Sequence, residues 1–159
     1  MDLFARDIMT KKVITVTKDN SVYEAIEKLL TYKINCLPVV DEEGHLIGMV
    51  TETDLVYVDR KLNPSNHYAY SELNVPVNKR ILERDISHMK DIKIGDVMSK
   101  TLTTLREDST LESAIDIMIN KKIKTIPVLN NSKVCGIITR RDILKFYIKN
   151  GLELANTKC

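Results

Sequence analysis

The chain has 159 residues, 43% hydrophobic and 29% charged, a balance that fits a folded domain with a real core and excludes a disordered segment. Its net charge of +2 gives too weak a field to argue for nucleic acid or an anionic membrane as partner. No apolar run approaches the ~20 residues needed to span a bilayer, and the start, Met1-Asp2-Leu3-Phe4-Ala5-Arg6-Asp7, has acids where a secretory signal needs a basic end, so a cytoplasmic protein is expected.

In chain order, Asp7-Ile8-Met9-Thr10 comes first, then a short β-branched run at residues 13–16. Val22, Ala25, Ile26, Leu29 and Leu30 follow at i, i+3, i+4, i+7 and i+8, which predicts a helix of about three turns with one apolar stripe. Residues 37–40 and 46–50 are apolar runs across the polar turn Asp41-Glu42-Glu43-Gly44, which predicts a β-hairpin. A second helix is expected to start near Thr51.

Residues 60–91 form an insert. In it Asn63-Pro64-Ser65-Asn66 is turn-like, and His67-Tyr68-Ala69-Tyr70 groups three rings. Val77, Ile81, Leu82 and Met89 predict a further amphipathic helix. The insert reads as a docked linker, or as a segment whose Tyr68 or Tyr70 stacks on a base.

The chain then repeats itself. Asp96-Val97-Met98-Ser99 matches Asp7-Ile8-Met9-Thr10, and Ile126-Pro127-Val128-Leu129 matches Leu37-Pro38-Val39-Val40, both 89 residues on. Gly136-Ile137-Ile138-Thr139-Arg140-Arg141-Asp142 matches Gly48-Met49-Val50-Thr51-Glu52-Thr53-Asp54 88 residues on, so the second copy lacks one residue of the stretch between Val40 and Gly48. Leu111, Ala114, Ile115, Met118 and Ile119 repeat the helix stripe, and residues 102–105 repeat the first strand. Ser21-Val22-Tyr23-Glu24 and Ser109-Thr110-Leu111-Glu112 both fit a capping box, one position out of register with each other, which leaves the capping residues open. Each copy reads β-α-β-β-α, an α/β (α+β) unit. The expected division is residues 1–59, an insert at 60–91, a second repeat at 92–150 and a tail at 151–159. Two units that bury like faces are expected to pack about a pseudo-two-fold axis.

Cys36, Cys135 and Cys159 show no C-x-x-C, and His45, His67 and His88 lie far apart. Free thiols and no metal or cofactor are expected. No nucleophile elbow, Walker loop or Cys–His pattern occurs, so no catalytic residues are assigned.

Thr51-x-x-Asp54 and Thr139-x-x-Asp142 stand between a strand and a helix. One reading is a capping box that satisfies the helix start. The other is a nucleotide cleft. Unpaired N–H groups and the helix dipole suit a phosphate, and a first-turn carboxylate suits a ribose diol. Leu37-Pro38 and Ile126-Pro127 would then give a flat apolar wall for a base.

The ordered set of motifs, with residues 19–25 and 108–114, resembles a tandem CBS-domain pair, or Bateman module. That resemblance implies two repeats packed into a flat disc with two clefts that bind AMP, ADP, ATP, S-adenosylmethionine or cyclic dinucleotides. It implies Asp54 and Asp142 as ribose ligands, Thr51 and Thr139 beside phosphate, and backbone groups near Thr15 and Thr104 for the base. It also implies a homodimer. With no catalytic or membrane-spanning pattern in the sequence, any regulated target is expected to be a separate, unidentified protein. Arg140, Arg141 and Lys100, with Lys124 and Arg106, make the second copy the better phosphate site, against Glu52 in the first, although Lys11 and Lys12 offset this. A ligand-free dimerisation module is the alternative.

Overall fold

The computed structural model describes residues 2–56, 58 and 87–156, with side chains described to residue 151. The tyrosine pair at 68 and 70 and the insert positions Val77, Ile81 and Leu82 lie outside the described residues. The elements are α1 (Ala5–Ile8), α2 (Val22–Tyr32), β1 (Cys36–Val40), β2 (Leu46–Thr51), α3 (Glu52–Val56), α4 (Ile94–Val97), β3 (Leu105–Arg106), α5 (Leu111–Lys121), β4 (Thr125–Asn130), β5 (Lys133–Thr139) and α6 (Arg140–Asn156). Residues 87–91 add a helical turn.

The long helices start as the repeat predicts. The Ser21 hydroxyl accepts the Glu24 N–H at 3.1 Å, and the Glu24 carboxylate accepts the Ser21 N–H at 2.7 Å. This is a complete capping box. In the second copy Thr110 is the cap, accepting from the Ser113 N–H at 3.1 Å. The alternative box from Ser109 to Glu112 does not form, because the Ser109 hydroxyl accepts the Arg106 N–H instead. The caps are thus 89 residues apart, like the motifs. Both helices end on a left-handed lysine, Lys33 (φ 53°) and Lys122 (φ 54°).

The apolar stripes are narrower than the sequence predicts. Val22, Ala25 and Leu29 are buried, as are Leu111, Ala114 and Met118, but Leu30 is 73% exposed and Ile119 66%. Position i+8 lies about 80° round the helix from position i, beyond the edge of each core. The predicted strands at 13–16 and 102–105 are also shorter than expected. Pairing begins only at Val16 and Leu105, the first buried residue of each run. Val16 makes a single parallel bridge to Val39, and β3 runs parallel to β4 for two residues.

The chain divides into two compact units, Ile14–Leu102 and Met1–Val13 with Thr103–Cys159. In the first, β1 and β2 pair antiparallel, with Cys36 opposite Thr51 and Val39 opposite Gly48. In the second, β4 and β5 pair the same way, with Thr125 opposite Thr139 and Val128 opposite Gly136. Both ladders shift register at matching places, Val39/Val40 and Val128/Leu129. The missing residue falls in the turn, since Val40 pairs with Leu46 but Leu129 with Val134.

Each unit takes in the lead-in segment that precedes the other repeat in the sequence. The Val22 N–H donates to the Ile92 carbonyl and the Leu111 N–H to the Leu3 carbonyl, at 2.9 and 2.8 Å. These bonds satisfy first-turn donors that a helix cannot satisfy itself. Ile94 and Val97 of α4 join the core of Val16, Leu37, Val39 and Val50. Ala5 of α1 joins the core of Ile126, Val128 and Ile138. Beyond the short helices, Thr10 bridges antiparallel to Ile137 and Ser99 to Met49.

The methionine of each lead-in lies over a strand glycine. A Cβ on Gly136 would overlap Met9 Sδ and stand 2.7 Å from its Cγ; one on Gly48 would stand 2.5 Å from Met98 Sδ. Gly136→Ala should therefore lower stability by about 1–3 kcal/mol through overpacking, read from urea unfolding. Met9→Ala in that background should recover part of the loss. An unchanged midpoint for Gly136→Ala would show that this contact is not close.

The Glu24 carboxyl is held below the usual range, first by the Ser21 N–H and then by the Asn20 side chain. A lowered pKa in the folded state contributes stability above the ordinary glutamate pKa and loses it as pH falls through the lowered value. Between about pH 5 and pH 3 the wild type should lose more stability than Glu24→Gln, measured by denaturation at each pH. Parallel curves would contradict this.

Candidate functional site

The two hairpins end alike. Thr51 closes β2 and Thr139 closes β5, and the chain turns at once into α3 and α6. The turn is pinned from behind, with the Glu52 N–H on the Asn35 carbonyl at 2.9 Å and the Arg140 N–H on the Lys124 carbonyl at 3.2 Å. At the first mouth the Asp54 carboxylate accepts the Thr51 N–H at 2.9 Å, and Thr51 Oγ1 accepts the Asp54 N–H at 3.3 Å. At the second, Asp142 Oδ2 accepts the Thr139 N–H at 2.8 Å and the Thr139 hydroxyl at 2.9 Å, and Thr139 Oγ1 accepts the Asp142 N–H at 3.3 Å. The capping geometry is thus present at both.

Asp142 has a further partner. The Thr10 hydroxyl donates to its Oδ1 at 3.0 Å, across 132 residues of sequence. Thr10 is held there by its backbone, which exchanges bonds of 2.9 and 3.0 Å with Ile137. Asp142 is only 9% exposed, and these donors engage both of its carboxylate oxygens at the start of α6. Ser99 occupies the matching place in the other unit, exchanging bonds of 2.8 and 3.0 Å with Met49.

Thr139, Asp142, Arg140 and Arg141 come together at the mouth of α6, with both arginines exposed on its first turn. Glu52, also exposed, stands at the matching place on α3. Leu37 and Ile126 are fully buried within the two cores, and Pro38 and Pro127, one strand position on, are also fully buried. The Thr15 carbonyl accepts the Lys28 ammonium at 2.8 Å. Thr104 lines an open depression of about 590 Å³ with Arg6, Arg106 and Asn130, a lining that includes neither Thr139 nor Asp142. Lys100 is exposed and falls in the unit of Asp54, whereas Lys11 and Lys12 fall in the unit of Asp142. This differs from the sequence expectation because the lead-in segments are exchanged between the repeats.

Two residues near these positions had no role assigned from sequence, Thr10 and Lys28. The 89-residue offset relates Thr10 to Ser99 but does not say which carboxylate either meets. Thr125, opposite Thr139 in the ladder, has a buried hydroxyl with no hydrogen-bond partner among the described residues. Among the described residues no group of three or more His, Cys, Asp or Glu could hold a metal ion, and no helix is long and apolar enough to cross a membrane.

The chain is similar to known proteins in sequence and fold. A family model described as the CBS domain matches residues 5–61 and again residues 94–149. Inosine-5'-monophosphate dehydrogenase of Methanocaldococcus jannaschii is 32% identical over 142 residues, covering 89% of this chain but 23% of the dehydrogenase. The chain therefore spans under a quarter of that relative's length. The crystal structure of CBSX2 in complex with AMP superposes with a TM-score of 0.71 at 25% identity, covering 94% of this chain and 98% of that one. The CBS domain pair of protein MJ0100, in complex with 5'-methylthioadenosine and S-adenosyl-L-methionine, gives 0.66 at 26% identity, covering 91% and 98%. The duplicated motifs, the twin hairpin-to-helix mouths and these matches place the chain in the CBS-domain family, as a tandem pair.

Proposed function

We propose that the chain is a non-catalytic regulatory module that binds adenosine-containing ligands of the AMP, ADP and ATP class, and that the Asp142 mouth is its tighter phosphate-bearing site. The observation that carries this reading is the nearly buried Asp142 carboxylate at a helix start, flanked by Thr139 and by two exposed arginines. The carboxylate would take ribose hydroxyls, the helix start and Thr139 the phosphate, and Arg140 and Arg141 its charge. The Thr125 hydroxyl opposite Thr139, which has no hydrogen-bond partner among the described residues, suits a site that a ligand completes. The AMP complex of CBSX2 and the methylthioadenosine and S-adenosylmethionine complex of MJ0100 favour an adenosine ligand. Glu52 at the first mouth disfavours phosphate there, which leaves Asp54 for a less charged adenosine compound.

Binding would act by differential affinity for two states of the module, and the regulated target would be a separate protein in the cytoplasm. Leu144, Tyr147 and Ile148 form an exposed apolar stripe on α6 that suits self-association into a homodimer. The same mouths would serve as plain helix caps in an assembly module without a ligand.

A melting-temperature panel separates the two readings. AMP, ADP, ATP, S-adenosylmethionine and cyclic dinucleotides are tested at about 100 times an expected Kd, where a bound ligand adds about 2.7 kcal/mol and raises Tm by several degrees. Asp142→Asn, which keeps an acceptor for the cap, should abolish most of the adenylate shift, and Asp54→Asn should leave most of it. No shift with any ligand would leave the assembly reading, and loss through Asp54→Asn instead would reverse the ranking of the mouths.

A further inference from the structure

Asp142 is engaged by three donors before any ligand arrives. Oδ2 accepts the N–H and hydroxyl of Thr139, and Oδ1 accepts the hydroxyl of Thr10. A carboxylate has roughly four acceptor positions, so one receives no donor among the described residues, on Oδ1. A ribose offers two vicinal hydroxyls. The Thr139 bonds also form the cap of α6 and close a ring with the Asp142 N–H, so they are costly to give up. The Thr10 bond is the one that yields. Its backbone is fixed to Ile137 by bonds that do not involve its side chain, and Thr10 is an exposed residue, so its hydroxyl can turn to water while the lead-in segment stays in place.

We infer that Thr10 is a specificity-determining residue of the Asp142 site: its hydroxyl fills the acceptor position that the second ribose hydroxyl needs, so the site discriminates weakly between ribose and deoxyribose. This rests on the adenosine-binding reading above. A ligand with one sugar hydroxyl uses that remaining position and leaves Thr10 where it is. A ligand with two must displace Thr10 and exchanges one hydrogen bond for another, with little net gain.

The test is calorimetry in an Asp54→Asn background, with AMP and 2'-deoxy-AMP as probes. With Thr10 intact, AMP should bind no more than about threefold more tightly than 2'-deoxy-AMP. In Thr10→Val, which keeps the β-branched shape, AMP should tighten by about three- to tenfold, the scale of one net hydrogen bond, while 2'-deoxy-AMP changes by less than about twofold. Thr10→Ser restores the hydroxyl and should restore the original ratio, and Thr10→Ala repeats the test without relying on the valine packing. A ratio of AMP to 2'-deoxy-AMP affinity that removal of the hydroxyl leaves unchanged overturns the inference while the adenosine reading stands. Failure of AMP to bind either protein overturns both.

Discussion

The structure depends on a methionine lying against a glycine, made twice. Met9 rests over Gly136 and Met98 over Gly48, and beside each contact the lead-in backbone exchanges two hydrogen bonds with the neighbouring strand residue. Only a residue without a Cβ lets the segment approach that closely. The contact gives each hairpin a further edge partner, so β2 and β5 are not left with open edges at that point. It also delivers buried residues to each core, Ala5 to one and Ile94 and Val97 to the other. A repeat of this size, without the borrowed segment, would lack part of its apolar burial and the donors' partners at the start of its long helix.

The same docking shapes the candidate site. By fixing the backbone of Thr10 to Ile137, it places a hydroxyl on Asp142. The helix mouth is thereby a completed cap and a potential ligand site at once. These are not competing descriptions, because a group that already accepts hydrogen bonds in a fixed direction is preorganised for a polar ligand. The two mouths differ in charge more than in backbone geometry. Arg140 and Arg141 stand at one and Glu52 at the other, and the exchange of lead-ins moves Lys11 and Lys12 to the Asp142 unit and Lys100 to the Asp54 unit.

Much of the fold is legible in the sequence because the repeat gives each element two independent readings. The hairpins, the long helices and the single-residue difference between the copies all follow from comparing them, and the strand register places that difference in the turn. The cap of the second long helix is not legible, because Ser109-x-x-Glu112 fits a capping box locally; the bond from the Arg106 N–H to the Ser109 hydroxyl leaves Thr110 as the cap. What stays hidden is non-local. Leu30 and Ile119 satisfy helical periodicity yet face outward, because the width of the core is set by the sheet and not by the helix. Residues 13–15 look like strand but find no ladder partner. The contact of Thr10 with Asp142 spans nearly the whole chain, and no spacing rule reports it. The T-x-x-D pair was legible locally as a capping box, which the structure shows at both mouths, and as a ligand site only through the resemblance of the whole motif set; the third donor to Asp142 was not legible.

The central claim is that the Asp142 mouth receives the sugar of an adenosine ligand. A crystal structure of the protein grown with AMP tests it most directly. The account predicts ribose hydroxyl oxygens within about 3 Å of the Asp142 carboxylate, with the phosphate toward Thr139 and the arginines of α6. Well-ordered AMP bound elsewhere, or a mouth that stays vacant while Thr10 and Thr139 keep all three of their bonds to Asp142, would contradict it.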